Sequence, residues 1–130
     1  MKKTLTIFSL VIAFALIGVA ILFANKNSNN VPQDGNNVSM ENGKQIITIS
    51  AKGGYSPRIT NAKAGIPTVI KMDTQGTFDC SSALSIPSMG YRKNLPPSGE
   101  TLIDVPPQEA GASMRGLCAM GMYNFVINFD

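Results

Sequence analysis

Twenty consecutive residues, Leu5 to Ala24, carry no charge, and they follow Lys2 and Lys3 at the start of the chain. At about 1.5 Å rise per residue such a run covers roughly 30 Å, the thickness of a bilayer core. A cleavable leader has a shorter apolar region, about 7–15 residues, and cleavage after Ala20 or Ala24 would suit that pattern poorly. The run therefore predicts an uncleaved N-terminal membrane anchor over residues 1–24, one transmembrane helix crossing the lipid bilayer through residues 5–24. Two lysines before it outweigh the single Lys26 after it, so the N-terminus is expected on the cytoplasmic side and everything downstream outside. The fold must be built from what remains.

Residues 25–43, which include NKNSNNVPQDGNNVSMEN, are polar and asparagine-rich with little to bury, and they read as a flexible tether. Such a segment has a typical end-to-end distance of about 21–25 Å, so a following domain stays close to the bilayer. Residues 44–130 are the candidate domain, large enough for a modest core without obligatory staples. Its charges nearly cancel, eight Lys and Arg against six Asp and Glu from Lys44 onward, and no basic run occurs. Part of the net +3 comes from the lysines flanking the apolar run, so the charge predicts no nucleic-acid partner.

The domain reads as all-β. KQIITISA is a β-branched run ending at the Lys52-Gly53-Gly54 turn, and SPRITNAKAGIPTVIKMDT gives two short strands split at KAGIP. SALSI is a short apolar stretch closed by Pro87, NLPPSGE a turn, and TLIDV a strand stopped by Pro106-Pro107. YNFVINFD alternates, with Tyr123, Phe125, Ile127 and Phe129 on one face. Short strands, Gly/Pro turns and no soluble helix predict a sandwich or small barrel.

Within LCAMGM, residues 117–122, sulfur alternates with small residues: Cys118, Met120, Met122. The only other cysteine, Cys80, lies 38 positions upstream, and the chain has no histidine. The three sulfur residues are even-numbered. A strand continuous with YNFVINFD would turn them away from the core face, while Gly116 and Gly121 favour a loop. Four readings are open. A Cys80–Cys118 disulfide suits an extracytoplasmic β-domain and would contribute about 4 kcal/mol in the entropic model, but leaves both methionines unexplained. A redox dithiol usually has a closer pair. A blue-copper electron carrier needs imidazole ligands that the chain lacks. A soft-metal site uses all the sulfurs, because thiolates and thioethers favour Cu(I). Missing histidine also removes the common hydrolytic triads, so the chain is not expected to be an enzyme.

GGYSPRITNAKAGIP, GTFDCSSALSIPSMG and LCAMGM together resemble the cupredoxin-like domain family, in particular its membrane-anchored bacterial Cu(I) chaperones and the related domain of copper-exporting P-type ATPases. The resemblance spans roughly Gln45 to Asp130 plus the anchor. It implies a cupredoxin-like Greek-key β-sandwich in which Cys80, Cys118, Met120 and Met122 converge at one end as metal ligands. It also implies that the two thiolates can bridge a pair of Cu(I) ions, so that one or two are bound, with a copper-exporting P-type ATPase as partner and copper resistance at the bacterial cell membrane as the role. The alternative is an extracytoplasmic β-domain stapled by Cys80–Cys118 with a binding role unrelated to metal.

Other residues are weaker candidates. Met89 and Met114 are possible secondary or outer-shell groups, though packing is the simpler account of both. Met72 alternates with Ile70 as a core residue, and Met40 is a remote candidate for metal capture. Asp79 is a candidate outer-shell group beside Cys80. Tyr55 reads as part of a strand-entry turn, and Arg92-Lys93 as a solvated tip able to meet an acidic partner.

Overall fold

The computed structural model describes residues 37–130. The anchor expected over residues 1–24, its lipid contact and most of the expected tether lie outside these residues, and no described helix is long and apolar enough to cross a membrane. The described chain is a sandwich of two five-stranded sheets with two short 3-10 turns and no α-helix.

The first sheet contains β1 (Val38–Glu41), β2 (Lys44–Ala51), β3 (Tyr55–Ser56), β5 (Thr68–Thr74) and β8 (Gly99–Val105), ordered β1-β2-β5-β8 with β3 also on β2. The second contains β4 (Ile59–Ala62), β6 (Ala83–Ile86), β7 (Tyr91–Asn94), β9 (Ser113–Cys118) and β10 (Asn124–Phe129), ordered β4-β10-β9-β6-β7. The pairs β2–β5 and β4–β10 are parallel and the rest antiparallel.

The domain starts earlier than the composition suggests. β1 lies inside the stretch read as tether and pairs with β2 through a two-residue turn, Asn42-Gly43. Both turn residues have positive φ, 50° and 77°, as the tightest hairpin turns require. Asn37 anchors the entry: its side-chain amide donates to Thr60 Oγ1 at 2.8 Å and to the Thr48 carbonyl at 3.1 Å. β3, β7 (a polar edge strand) and β9 are the other strands that the sequence reading did not separate; Tyr55, read as part of a strand-entry turn, is buried and pairs with Ala51 of β2.

The core between the sheets is filled from alternating positions. Ile47, Ile49 and Ala51 come from β2, Ile70 and Met72 from β5, and Phe125, Ile127 and Phe129 from β10, all buried. Met72 and the β10 face fall where the alternation predicts; Tyr123 is half-buried at the end of that face. Burial of each large apolar side chain contributes about 1.5–3 kcal/mol. Opposite Phe125 in the β9–β10 register stands Gly116. A Cβ there would meet the Phe125 ring at 2.2 Å, so only glycine lets the ring lie across β9.

Candidate metal centre

Cys80 and Cys118 reach one end of the sandwich by different routes. Cys80 begins the 3-10 turn Cys80–Ser82, on the crossover from the first sheet into β6. Cys118 ends β9, opposite Leu84 of β6. In β9 the even positions Met114, Gly116 and Cys118 face inward, and in β10 the odd ones do. The intervening loop reverses the parity, so Cys118 is 2% exposed and points to the core side, which corrects the outward orientation of a continuous strand.

That loop is closed on itself. The Cys118 carbonyl accepts from Gly121 N–H at 2.8 Å, and Cys118 N–H donates to the Tyr123 carbonyl at 3.0 Å. Tyr123 N–H also approaches Cys118 Sγ at 3.3 Å. Gly121 has a φ of 71°, which lets the chain fold back between the two methionines. Met120 and Met122 emerge 79% and 66% exposed.

The two thiol sulfurs are 2.7 Å apart and the cysteines are free; Cys80 donates to Cys118. Burial alone would push the Cys118 thiol up. The Cys80 thiol and the N–H groups of Tyr123, Met120 and Met122 outweigh it and hold Cys118 below the ordinary thiol range. Cys80 is raised, first because it is the donor in that bond; Met120 N–H opposes the rise, while desolvation and the Cys118 and Asp79 charges add to it. The pair is thus ordered, Cys118 giving up its proton before Cys80.

Asp79 and Tyr55 hold this arrangement from behind. Asp79 caps the turn: one carboxylate oxygen accepts from Ser81 N–H at 2.8 Å and from the Ser81 hydroxyl, and the other accepts from Gly53 N–H at 2.8 Å. Its carboxyl is lowered, chiefly by the Ser81 hydroxyl and then by the two N–H groups. The buried Tyr55 hydroxyl donates to the Ser81 carbonyl at 3.1 Å, and its ring meets Phe125 edge-on at 5.2 Å. Burial raises the Tyr55 phenol, helped by the charges of Cys118, Cys80 and Asp79. The loop before Cys80 is tied by Gly76 N–H to Ser98 Oγ and Thr77 N–H to the Pro97 carbonyl, both 2.8 Å. It leaves Phe78 84% exposed two positions from Cys80. Sequence reasoning passed over Phe78, which stands outside any periodic run.

Met89 and Met114 do not join the sulfurs. Met114 is in the core four positions before Cys118, about 13 Å along an extended strand. Met89 packs partly against the core beyond the end of β6 that leads away from Cys118. Met40 is on β1 of the other sheet. Among the described residues no three His, Cys, Asp or Glu side chains form a metal-sized group. The donor set at this end is therefore two thiols with two neighbouring thioethers, which suits a soft monovalent ion and not a hard divalent one.

A fold of two such sheets with the sulfur pair at one end defines a class. The family model for the cupredoxin-like domain matches residues 13–126, and the chain belongs to that family. Two solved structures similar to it are copper proteins. One is the Cu(I)-bound metal binding domain of the Cu(I) exporting P-type ATPase CopA of Streptococcus pneumoniae D39, at 28% identity over 72% of this chain and 92% of that one, with a TM-score of 0.63. The other is a copper binding protein solved by NMR in the apo form, at 26% identity over 72% of this chain and 94% of that one, with a TM-score of 0.64. No curated protein sequence matches the chain.

Proposed function

We propose that this protein is a membrane-tethered Cu(I) carrier. It binds one or two Cu(I) ions outside the cytoplasmic membrane through Cys80, Cys118, Met120 and Met122, and passes them to a copper-exporting P-type ATPase in copper resistance. It is a carrier and not an enzyme. The observation that carries the reading is the contact of two thiol sulfurs, 2.7 Å apart, beside a loop that presents two exposed thioethers. Similarity to the metal binding domain of a Cu(I) exporter supports the metal and the kind of partner.

The chemistry follows from the donor set. Thiolates and thioethers prefer Cu(I), and a chain without histidine offers Cu(II) no imidazole. Thiolates offset the charge of the ion, while thioethers need no deprotonation. Ligands on an exposed loop are released one at a time as a partner's sulfurs replace them, so no bare ion forms. The tether and anchor raise the local concentration near an exporter in the same membrane.

Anaerobic competition with a Cu(I) chelator tests the site. Cys80→Ser and Cys118→Ser should each lose tight binding, because a hydroxyl does not replace an anionic ligand. Met120→Ala and Met122→Ala should weaken binding by less than either cysteine change. Methionine variants that bind like the parent would remove Met120 and Met122 from the ligand set. The sulfur contact also favours the second reading, a Cys80–Cys118 disulfide without metal. Thiol counting together with metal analysis of anaerobically purified protein separates the two: free thiols with bound copper support the carrier, an oxidised pair without copper the staple.

A further inference from the structure

The two sheets differ in charge, and the difference falls around the metal centre. The strands of the first sheet carry Lys44 and Lys71 against Glu41, Asp73, Glu100 and Asp104. Both lysines are paired, Lys44 with Asp104 at 3.7 Å and Lys71 with Glu100 at 3.2 Å. The strands of the second sheet contain no carboxylate at all; their charged residues are Arg92, Lys93 and Arg115. This second sheet supplies Cys118 and both ends of the sulfur loop.

The cations reach both flanks of that loop. On one side a cleft of ≈ 340 Å³ lies between Ala119 and Arg92–Lys93. On the other a cleft of ≈ 360 Å³ lies between Met122 and Arg58. Neither is lined by a carboxylate. Asp79, at the Cys80 turn, already accepts from Gly53 and Ser81. Between the clefts the outward face of the sheet is uncharged apart from arginine. Ile59 is exposed beside Val126 in the β4–β10 register, and Asn128 bridges Ser113 at 3.1 Å and Asn61 at 3.4 Å.

We propose that the outer face of the second sheet, with the two clefts beside the Cys118–Tyr123 loop, is the docking surface for an acidic protein surface that carries sulfur ligands. The inference rests on the hand-off reading and names the chemistry of its recipient. Opposite charge speeds encounter and sets orientation, and arginine beside uncharged apolar and amide groups is the composition of a protein interface. Docked this way, the partner meets Met120 and Met122 first, at the point where the copper leaves.

The test measures Cu(I) transfer from the full chain to the copper-exporting P-type ATPase of the same organism, at low and high ionic strength. The double variant Arg92→Glu/Arg115→Glu should bind copper like the parent but transfer it roughly tenfold more slowly at low salt, with a flatter salt dependence. Lys44→Glu/Lys71→Glu, on the opposite sheet, should transfer like the parent. An unchanged rate in the first variant, or an equal slowing in the second, would overturn the proposal. So would a first variant that transfers normally yet loses affinity for phosphatidylglycerol vesicles relative to phosphatidylcholine vesicles, since the face would then be serving lipid. A parent that loads copper but delivers none to the exporter removes the hand-off reading itself, a result separable from failure of the docking face alone.

Discussion

Both carboxylate oxygens of Asp79 accept backbone N–H groups, and the Gly53 donor is 26 residues from Asp79 in sequence. One side chain thus fixes the start of the Cys80 turn to the turn after β2. The charged form makes these bonds, so the folded pKa lies below the ordinary 3.8. The associated stability is present above that ordinary value and is lost as pH falls through the depressed folded one. Asp79→Asn should therefore flatten the acid side of the stability profile, read by thermal unfolding across acid pH; an acid limb like the parent's would show that the charge contributes nothing. Asp79→Ala removes the accepted bonds outright and should cost about 0.5–2 kcal/mol at neutral pH, in the range of lost caps. It should also weaken Cu(I) binding, because the Cys80 turn loses its register against Cys118.

At the scale of elements, the β9–β10 hairpin joins the core to the site. Gly116 accepts the Phe125 ring, Phe125 meets Tyr55, and Tyr55 holds the Ser81 carbonyl next to Cys80. Gly116→Ala forces the ring to move, and overpacking of this kind costs about 1–3 kcal/mol. The unfolding midpoint should fall by about 4–8 °C per kcal/mol for a domain of this size, and Cu(I) affinity should fall with it. A variant melting with the parent would mean that the ring relocates freely. The hairpin also marks the limit of what the sequence conveys. Phe125, Ile127 and Phe129 alternate without interruption, so β10 and its inner face were legible. β9 was not, because Gly116 puts no side chain at an inward position, apolar Leu117 stands at an outward one, and the loop shifts the parity of Cys118. β1 was hidden by its asparagine-rich surroundings, although Asn42-Gly43 is a strong local hairpin signal. The meeting of Cys80 and Cys118 had no local signature: it depends on the pairing of β6 with β9, and only the count of two cysteines and the family resemblance pointed to it.

For the whole molecule, the relevant fact is that the sulfur pair spans 38 residues of chain and both routes into one end of the sandwich. An unfolded chain holds these thiols apart, so a Cu(I) ion held by the pair, as proposed, would favour the folded form. Added Cu(I) should raise the unfolding midpoint of the parent, by about 2.7 kcal/mol of stability at a free concentration one hundred times the dissociation constant. Cys118→Ser should show no such rise; an equal rise in both would place the stabilising metal elsewhere. The separation of the cysteines has one more consequence. A copy arrested before β6 has paired with β9 has no chelating pair and takes up no metal, whereas a finished copy does and is then held in its finished form. For the proposed carrier, loading would thus double as inspection: only molecules that have completed assembly would enter traffic.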